Sequence, residues 1–246
     1  MSYEERKYRN ILNKDRFDYC NLLHLETDLW IGVGKGACNE YLKQIIRNDI
    51  ASLRAEIEAF IQRHPEFKIS FSPLRYKEKT AGPIAKLINA SNVAGTGPMA
   101  GIAGLFSENI GHKIKEYTSN AEVLVENGGD IFSSTKAAIV ISIYAGSSPL
   151  SNKIALNIPK GEWGICTSSG TVGHSRSFGQ ADAVTVVAKS TVLADAIATQ
   201  IANQVKSPED IQAVLEDSAK YEGIEGVVIV CGEKIGLTGK LEIVPV

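Results

Sequence analysis

Apolar and polar positions along this chain keep two different periods, and the places where the period changes divide it into elements. Between Arg16 and Val33, Phe17, Tyr19, Asn21 and Leu23 alternate with Asp18, Cys20 and Leu22, and Leu29-Trp-Ile-Gly-Val follows a Glu26-Thr-Asp break. That pattern predicts an amino-terminal hairpin of two strands. From Cys38 to Arg63 the period lengthens: Leu42, Ile45, Ile46, Ile50, Leu53, Ile57 and Ile61 recur at helical spacing with charges on the other face. A long amphipathic helix is expected there, ended by His64-Pro65. Phe67-Lys-Ile-Ser-Phe-Ser alternates again and reads as a strand before Pro73. Two helices are predicted around a glycine turn, one over 83–92 and one entered at Pro98 and running to Tyr117. Strands are expected at 121–126, 137–144, 154–158, 164–167 and 183–188, helices at 191–205 and 208–218, and final strands at 226–231, 234–237 and 241–244. The succession predicts one α+β unit over residues 1–246, with mixed or antiparallel sheets flanked by helices and room for two subdomains around a central cleft.

Composition narrows the class. The chain has 246 residues, 44% hydrophobic and 22% charged, enough to bury a sizeable core, so disorder and fibre are excluded. A net charge of -2 provides no global basic field for nucleic acid or an anionic membrane. The start, Met1-Ser-Tyr-Glu-Glu-Arg-Lys-Tyr-Arg-Asn, has no apolar signal core, and no apolar run reaches the length of a membrane span, so a cytoplasmic protein is expected. Cys20, Cys38, Cys166 and Cys231 form no CxxC pair, and the four histidines lack a spacing that would put two imidazoles on one helix face. Zinc chemistry and a disulfide scaffold are therefore not indicated.

Four patches carry candidate chemistry. Asp195 and Thr199 stand four residues apart on a predicted helix, hence about 40° apart around its axis and one turn along it. Completed by carbonyl and phosphate oxygens, such a pair suits a hard cation such as Mg²⁺. On spacing alone the commoner reading is structural, with Asp195 capping or ion-pairing and Thr199 bonding back to the preceding turn. The turn from Gly95 to Gly101 feeds a helix and offers free amides to an anion, or else lets two helices pack closely. Its Gly-x-Gly-x-x-Ala spacing lacks the preceding strand that a dinucleotide fold needs. Asn127-Gly-Gly-Asp130 reads equally as a type I′ hairpin turn or as a loop where a ligand approaches bare backbone. The polar run from Thr167 to Gly179 carries His174 among six hydroxyls, with Asp182 just beyond. A Ser-His-Asp hydrolase is one reading, although Gly-x-Ser-x-Gly is absent; phosphate donors with one acid or base is the other.

Five ordered motifs resemble an uncharacterised bacterial and archaeal family related to ApbE, over nearly the full length. They are Glu26-Thr-Asp-Leu, Gly97-Pro-Met-Ala-Gly-Ile-Ala-Gly104, Val125-Glu-Asn-Gly-Gly-Asp-Ile131, Thr167-Ser-Ser-Gly-Thr-Val-Gly-His-Ser175, and Gly179-Gln-Ala-Asp-Ala-Val-Thr-Val with Ala194-Asp-Ala-Ile-Ala-Thr199. The resemblance implies Mg²⁺-dependent cleavage of the FAD pyrophosphate, with FMN passed to a hydroxyl of an acceptor protein or hydrolysed. By the same resemblance, Asp195, Thr199 and a backbone carbonyl at Gly101 hold the metal, and His174 is catalytic. The flavin or nucleotide is expected between Gly97, Met99 and Ala100, the Asn127, Gly128, Gly129 and Asp130 loop, and Thr167, Ser168 and Ser169. A homodimer is included among the expectations, and a non-catalytic flavin or nucleotide binder is the alternative. Two departures bear on activity: Ala103-Gly104-Leu105 stands where transferases commonly have Ala-Lys-Gly, and Ser175-Arg-Ser-Phe-Gly179 replaces their Pro-x-Thr-Gly element.

Overall fold

The computed structural model describes residues 15–77, 79–119, 121–171 and 178–246. Among the described residues, eleven strands and six α-helices follow one another as β1 (Phe17–His24), β2 (Thr27–Gly34), α1 (Glu40–Arg63), α2 (Glu66–Ile69), α3 (Gly82–Ala94), α4 (Ile102–Tyr117), β3 (Val123–Asn127), β4 (Asp130–Thr135), β5 (Ile139–Ser142), β6 (Ile154–Ile158), β7 (Gly161–Ser168), β8 (Ala183–Ala188), α5 (Thr191–Gln204), α6 (Ile211–Ser218), β9 (Ile224–Cys231), β10 (Lys234–Gly239) and β11 (Glu242–Pro245). An eight-stranded sheet runs β1-β2-β3-β4-β7-β8-β9-β10, and a three-stranded sheet runs β11-β6-β5. Every strand pairing is antiparallel. The large sheet is thus a meander in chain order, with α1 to α4 inserted after β2, the β5–β6 pair after β4, and α5 and α6 after β8.

The period-2 pattern assigns each strand residue to one of two cores. Val123, Val125, Cys166, Val184, Val186, Val227 and Ile229 face the helices, where they pack with Ile46, Ile50, Leu105, Ile110, Ile197 and Ile201. Leu124, Trp163, Ile165, Val187, Val228 and Val230 face the small sheet and meet Ile139, Ile141, Leu156 and Ile158. Helices and small sheet therefore lie on opposite faces of one large sheet. β8 is buried at all six positions, as a strand covered on both faces must be.

Two local expectations change. The stretch after His64-Pro65 forms the short helix α2 instead of a strand, because among the described residues it pairs with no strand: only Phe67 is buried there, while Ile69 and Phe71 are 72% and 61% exposed. Without a ladder, the backbone groups are satisfied locally, as in the Ser70 amide bond to the Glu66 carbonyl. Conversely, β4 lies where no strand is predicted, since its Ser133, Ser134 and Thr135 carry little apolar signal. It is held by pairing to β3 and β7 on both edges.

Candidate functional site

The site grows from the crossing of α4 and α5. Helix α5 is capped by Ser190, whose hydroxyl oxygen accepts from the Leu193 amide at 3.3 Å. Its first turn also meets a carboxylate from the other helix. Glu108 Oε2 accepts from the Ser190 hydroxyl at 3.0 Å, the Thr191 amide at 2.7 Å and the Val192 amide at 3.4 Å, and Lys86 Nζ donates to Oε1 at 2.7 Å. Burial works against the charge of Glu108, but Lys86 together with Ser190 and Thr191 overcomes it and holds the carboxyl below its ordinary value. A carboxylate at a helix N-terminus is also favoured by the dipole.

The reverse contact lies one turn away. Asp195, on α5, accepts through Oδ2 from the Gly104 amide in the first turn of α4, at 2.8 Å. The two helices therefore run antiparallel with residue 108 opposite 191 and residue 104 opposite 195, each lending a carboxylate to the N-terminus of the other. Their closeness depends on missing side chains: a Cβ on Gly104 would lie 2.5 Å from the Thr191 carbonyl oxygen and 2.9 Å from Asp195 Cβ, and one on Gly101 would lie 2.9 Å from the Val192 carbonyl oxygen. From the sheet side, a Cβ on Gly164 would sit 2.7 Å from the Thr191 amide nitrogen, so α5 rests directly on β7. The two carboxylates differ in compensation. Burial pushes the Asp195 carboxyl up to about 7, opposed only by the amides of Gly104 and Ala103, whereas Glu108 has Lys86.

The β3–β4 turn reaches the same helix end. Asn127 Nδ2 donates to the Ala103 carbonyl at 3.3 Å, and the Ser107 hydroxyl is 2.7 Å from the Asp130 carbonyl oxygen. Asn127 and Asp130 are hairpin partners, with Gly128 and Gly129 at φ of 70° and 105°, a left-handed pair that glycine adopts without strain. The Gly129 amide donates to Glu126 Oε1 at 2.8 Å, and the Thr167 amide donates to the Gly129 carbonyl at 3.2 Å, which brings the end of β7 to the turn. Cys166 lies between these groups: burial, then the nearby charges of Asp130 and Asp195, push its thiol well above the usual range, and it donates to the Thr191 carbonyl at 3.3 Å.

The predicted residues thus fall into groups. Asp195, Gly101, Asn127, Gly128, Gly129, Asp130 and Thr167 converge on the amino end of α4, and Thr199 follows half-buried one turn along α5. Met99 and Ala100 lie half-buried in a 3₁₀ turn, Pro98–Gly101, that leads into it. Gly97 is closed against the chain at Ser70 and Phe71, its absent Cβ 3.1 Å from Phe71 Cα, a close approach to the stretch after α2 and not between two helices. Ser168 pairs with Val184 at the end of β7, and Ser169 Oγ accepts from the Thr171 amide at 3.0 Å. His174, Ser175 and Ser177 lie outside the described residues. On either side of residues 172–177, the Gly170 amide donates to the Ala181 carbonyl at 2.8 Å, and the Phe178 amide donates to the side-chain Oδ1 of Asn203 at 2.8 Å. Asp182, the acid of the hydrolase reading, is spent on this anchoring; its oxygens accept from the Thr171 hydroxyl at 3.0 Å and the Gly232 amide at 2.7 Å.

Glu108, Lys86 and Ser107 were not singled out by sequence. The available signal was a glutamate within the apolar face of α4, beside Leu105 and in the row of Gly104 and Gly111. A cavity of about 600 Å³ lined by Arg16, Lys35, Leu42, Tyr117 and Glu122 opens at the other end of α4, away from these groups. Among the described residues no three His, Cys, Asp or Glu side chains cluster as metal ligands, and no helix is long and apolar enough to cross a membrane.

An antiparallel sheet clad by helices on one face and a small sheet on the other, with a buried carboxylate set against a helix N-terminus, places this chain in the ApbE class of folds. The crystal structure of the ApbE protein from Thermotoga maritima covers 90% of this chain and 96% of its own, with a TM-score of 0.55 at 16% identity. The apo flavinyl transferase ApbE of Pseudomonas stutzeri covers 91% and 94%, with a TM-score of 0.51 at 12% identity. Within that class, the chain belongs to the family described as "AbpE bacteria", whose model matches residues 9–237. It is 42% identical over 203 residues to a UPF0280 protein of Methanococcus aeolicus, spanning 80% of this chain and 82% of that one.

Proposed function

We propose that this protein binds FAD or a related flavin nucleotide with Mg²⁺ and cleaves its phosphoric anhydride, passing FMN to a hydroxyl of an acceptor protein or to water. The observation that carries the reading is Asp195: a carboxylate buried against amides, with its pKa raised to about 7, beside a glycine-lined helix terminus. The donor set fits the metal. The Asp195 carboxylate, the Thr199 hydroxyl and the Gly101 carbonyl are hard oxygen ligands of the kind Mg²⁺ accepts, and a divalent ion is the compensating charge that Glu108 receives from Lys86 and Asp195 lacks. Bound there, Mg²⁺ supplies neutralisation of the bridging phosphate oxygens.

The remaining roles belong to the chain itself. The Asn127 to Asp130 turn, whose two glycines carry no side chains, lets the nucleotide approach the backbone beside the start of α4. His174 takes the proton as the acceptor oxygen bonds to the flavin-side phosphorus and AMP departs. The names of the Pseudomonas stutzeri structure and of the flavin transferase ApbE of Vibrio cholerae support transfer as the reaction. Gly104 in place of the transferases' lysine favours the second reading, a flavin binder without turnover.

Incubation with FAD and Mg²⁺ is expected to release AMP; tight flavin retention without AMP selects the binder. In parallel, Mg²⁺ is expected to raise the melting temperature of the wild type and leave that of Asp195→Asn unmoved, since the amide keeps the bond to Gly104 but has no charge. Equal Mg²⁺ responses in both proteins would remove the metal from this site.

A further inference from the structure

We infer that Glu108 is a positioning residue for the cation site, fixing the first turn of α5 so that Asp195 is presented at the end of α4. This rests on the metal reading above and adds a residue to it. Three donors of α5, the Ser190 hydroxyl and the Thr191 and Val192 amides, converge on Glu108 Oε2, while Lys86 holds Oε1. Asp195 stands four residues beyond Thr191, about 6 Å along the axis, where its carboxylate accepts from the Gly104 amide with the Ala103 amide beside it. Around this turn, Gly101, Gly104 and Gly164 bring backbone to within contact of Thr191 and Val192 on two sides, and the Cys166 thiol donates to the Thr191 carbonyl. A shift at the Glu108 rung therefore has no slack to absorb it and passes to Asp195. The Glu108 carboxylate is engaged by Lys86, Ser190, Thr191 and Val192, so it acts through α5, and its reach, more than its charge, sets the geometry.

The test separates reach from charge. Glu108→Asp keeps the charge and shortens the arm; Glu108→Gln keeps the arm and an acceptor oxygen. Melting temperature of the full-length protein is followed against MgCl₂ in chelator-treated buffer, with Asn39→Ala, which removes the α1 cap at Leu42, as a control for simple loss of a helix cap. Glu108→Asp is expected to raise the Mg²⁺ midpoint by about tenfold or more, Glu108→Gln by less than about threefold, and Asn39→Ala to lower the melting temperature in chelator without moving the midpoint. A wild-type midpoint in Glu108→Asp overturns the inference, as does an equal weakening in Glu108→Gln, which would make charge the operative property. A wild type that does not respond to Mg²⁺ overturns the metal reading itself, and this inference with it.

Discussion

Gly104 shows how one missing side chain carries both structure and chemistry. The resemblance to ApbE transferases sets a lysine against this position, and in this chain a Cβ at 104 would stand 2.5 Å from a backbone carbonyl of α5, which cannot rotate away. Restoring the lysine is therefore expected to separate α4 from α5 and lower unfolding free energy by about 3 kcal/mol, read in urea, without conferring transfer activity. A stable Gly104→Lys variant with transferase turnover would show that the helices have room for the cation. Asp195 was legible as a candidate because its spacing to Thr199 survives in any helix. Its actual partner was not, since Gly104 lies 91 positions away in the chain. Glu108 was harder to find: a glutamate on a helix reads as a solvated charge until the partner helix that buries it is known.

At the scale of elements, α4 does more than its amphipathic pattern announces. Gly111 admits the ring of Phe132 from β4, and His112 packs beside the same ring at a centroid distance of 4.8 Å. Burial, more than any neighbouring charge, lowers the pKa of His112 from its ordinary 6.5. Because the folded value lies below the unfolded one, the unfolded chain takes up the proton first as the pH falls. Stability is then complete above about 6.5, declines through the interval down to the folded value, and changes no further below it on this account. The melting temperature of His112→Phe is expected to lack that portion of the acid slope; an unchanged slope would assign it to other groups. Long helices and the amino-terminal hairpin were legible because one face of each is continuously apolar. α2 and β4 were not, because alternation without a partner edge makes no strand, and a strand paired on both edges needs little apolar signal of its own.

For the whole molecule, the arrangement of two cores on opposite faces of one sheet predicts that stability and the site can be perturbed separately. Leu156 is fully buried between the small sheet and the large one, on the face turned away from α4 and α5. Leu156→Ala is expected to lower unfolding free energy by about 3 kcal/mol while leaving the Mg²⁺ midpoint of the thermal shift in place. Movement of that midpoint would mean that the sheet transmits packing from one face to the other. The antiparallel meander was readable as a set of strands, but not their order: β5 and β6 leave the large sheet for a second one, and the sequence at that departure differs little from a hairpin. The described chain on either side of residues 172–177 is held by the Gly170 amide, which donates to the Ala181 carbonyl, and by the Phe178 amide, which donates to the side chain of Asn203 on α5. The helix that carries Asp195 thus also tethers the chain at Phe178, so a substitution at Asn203 reaches that chain from the same element.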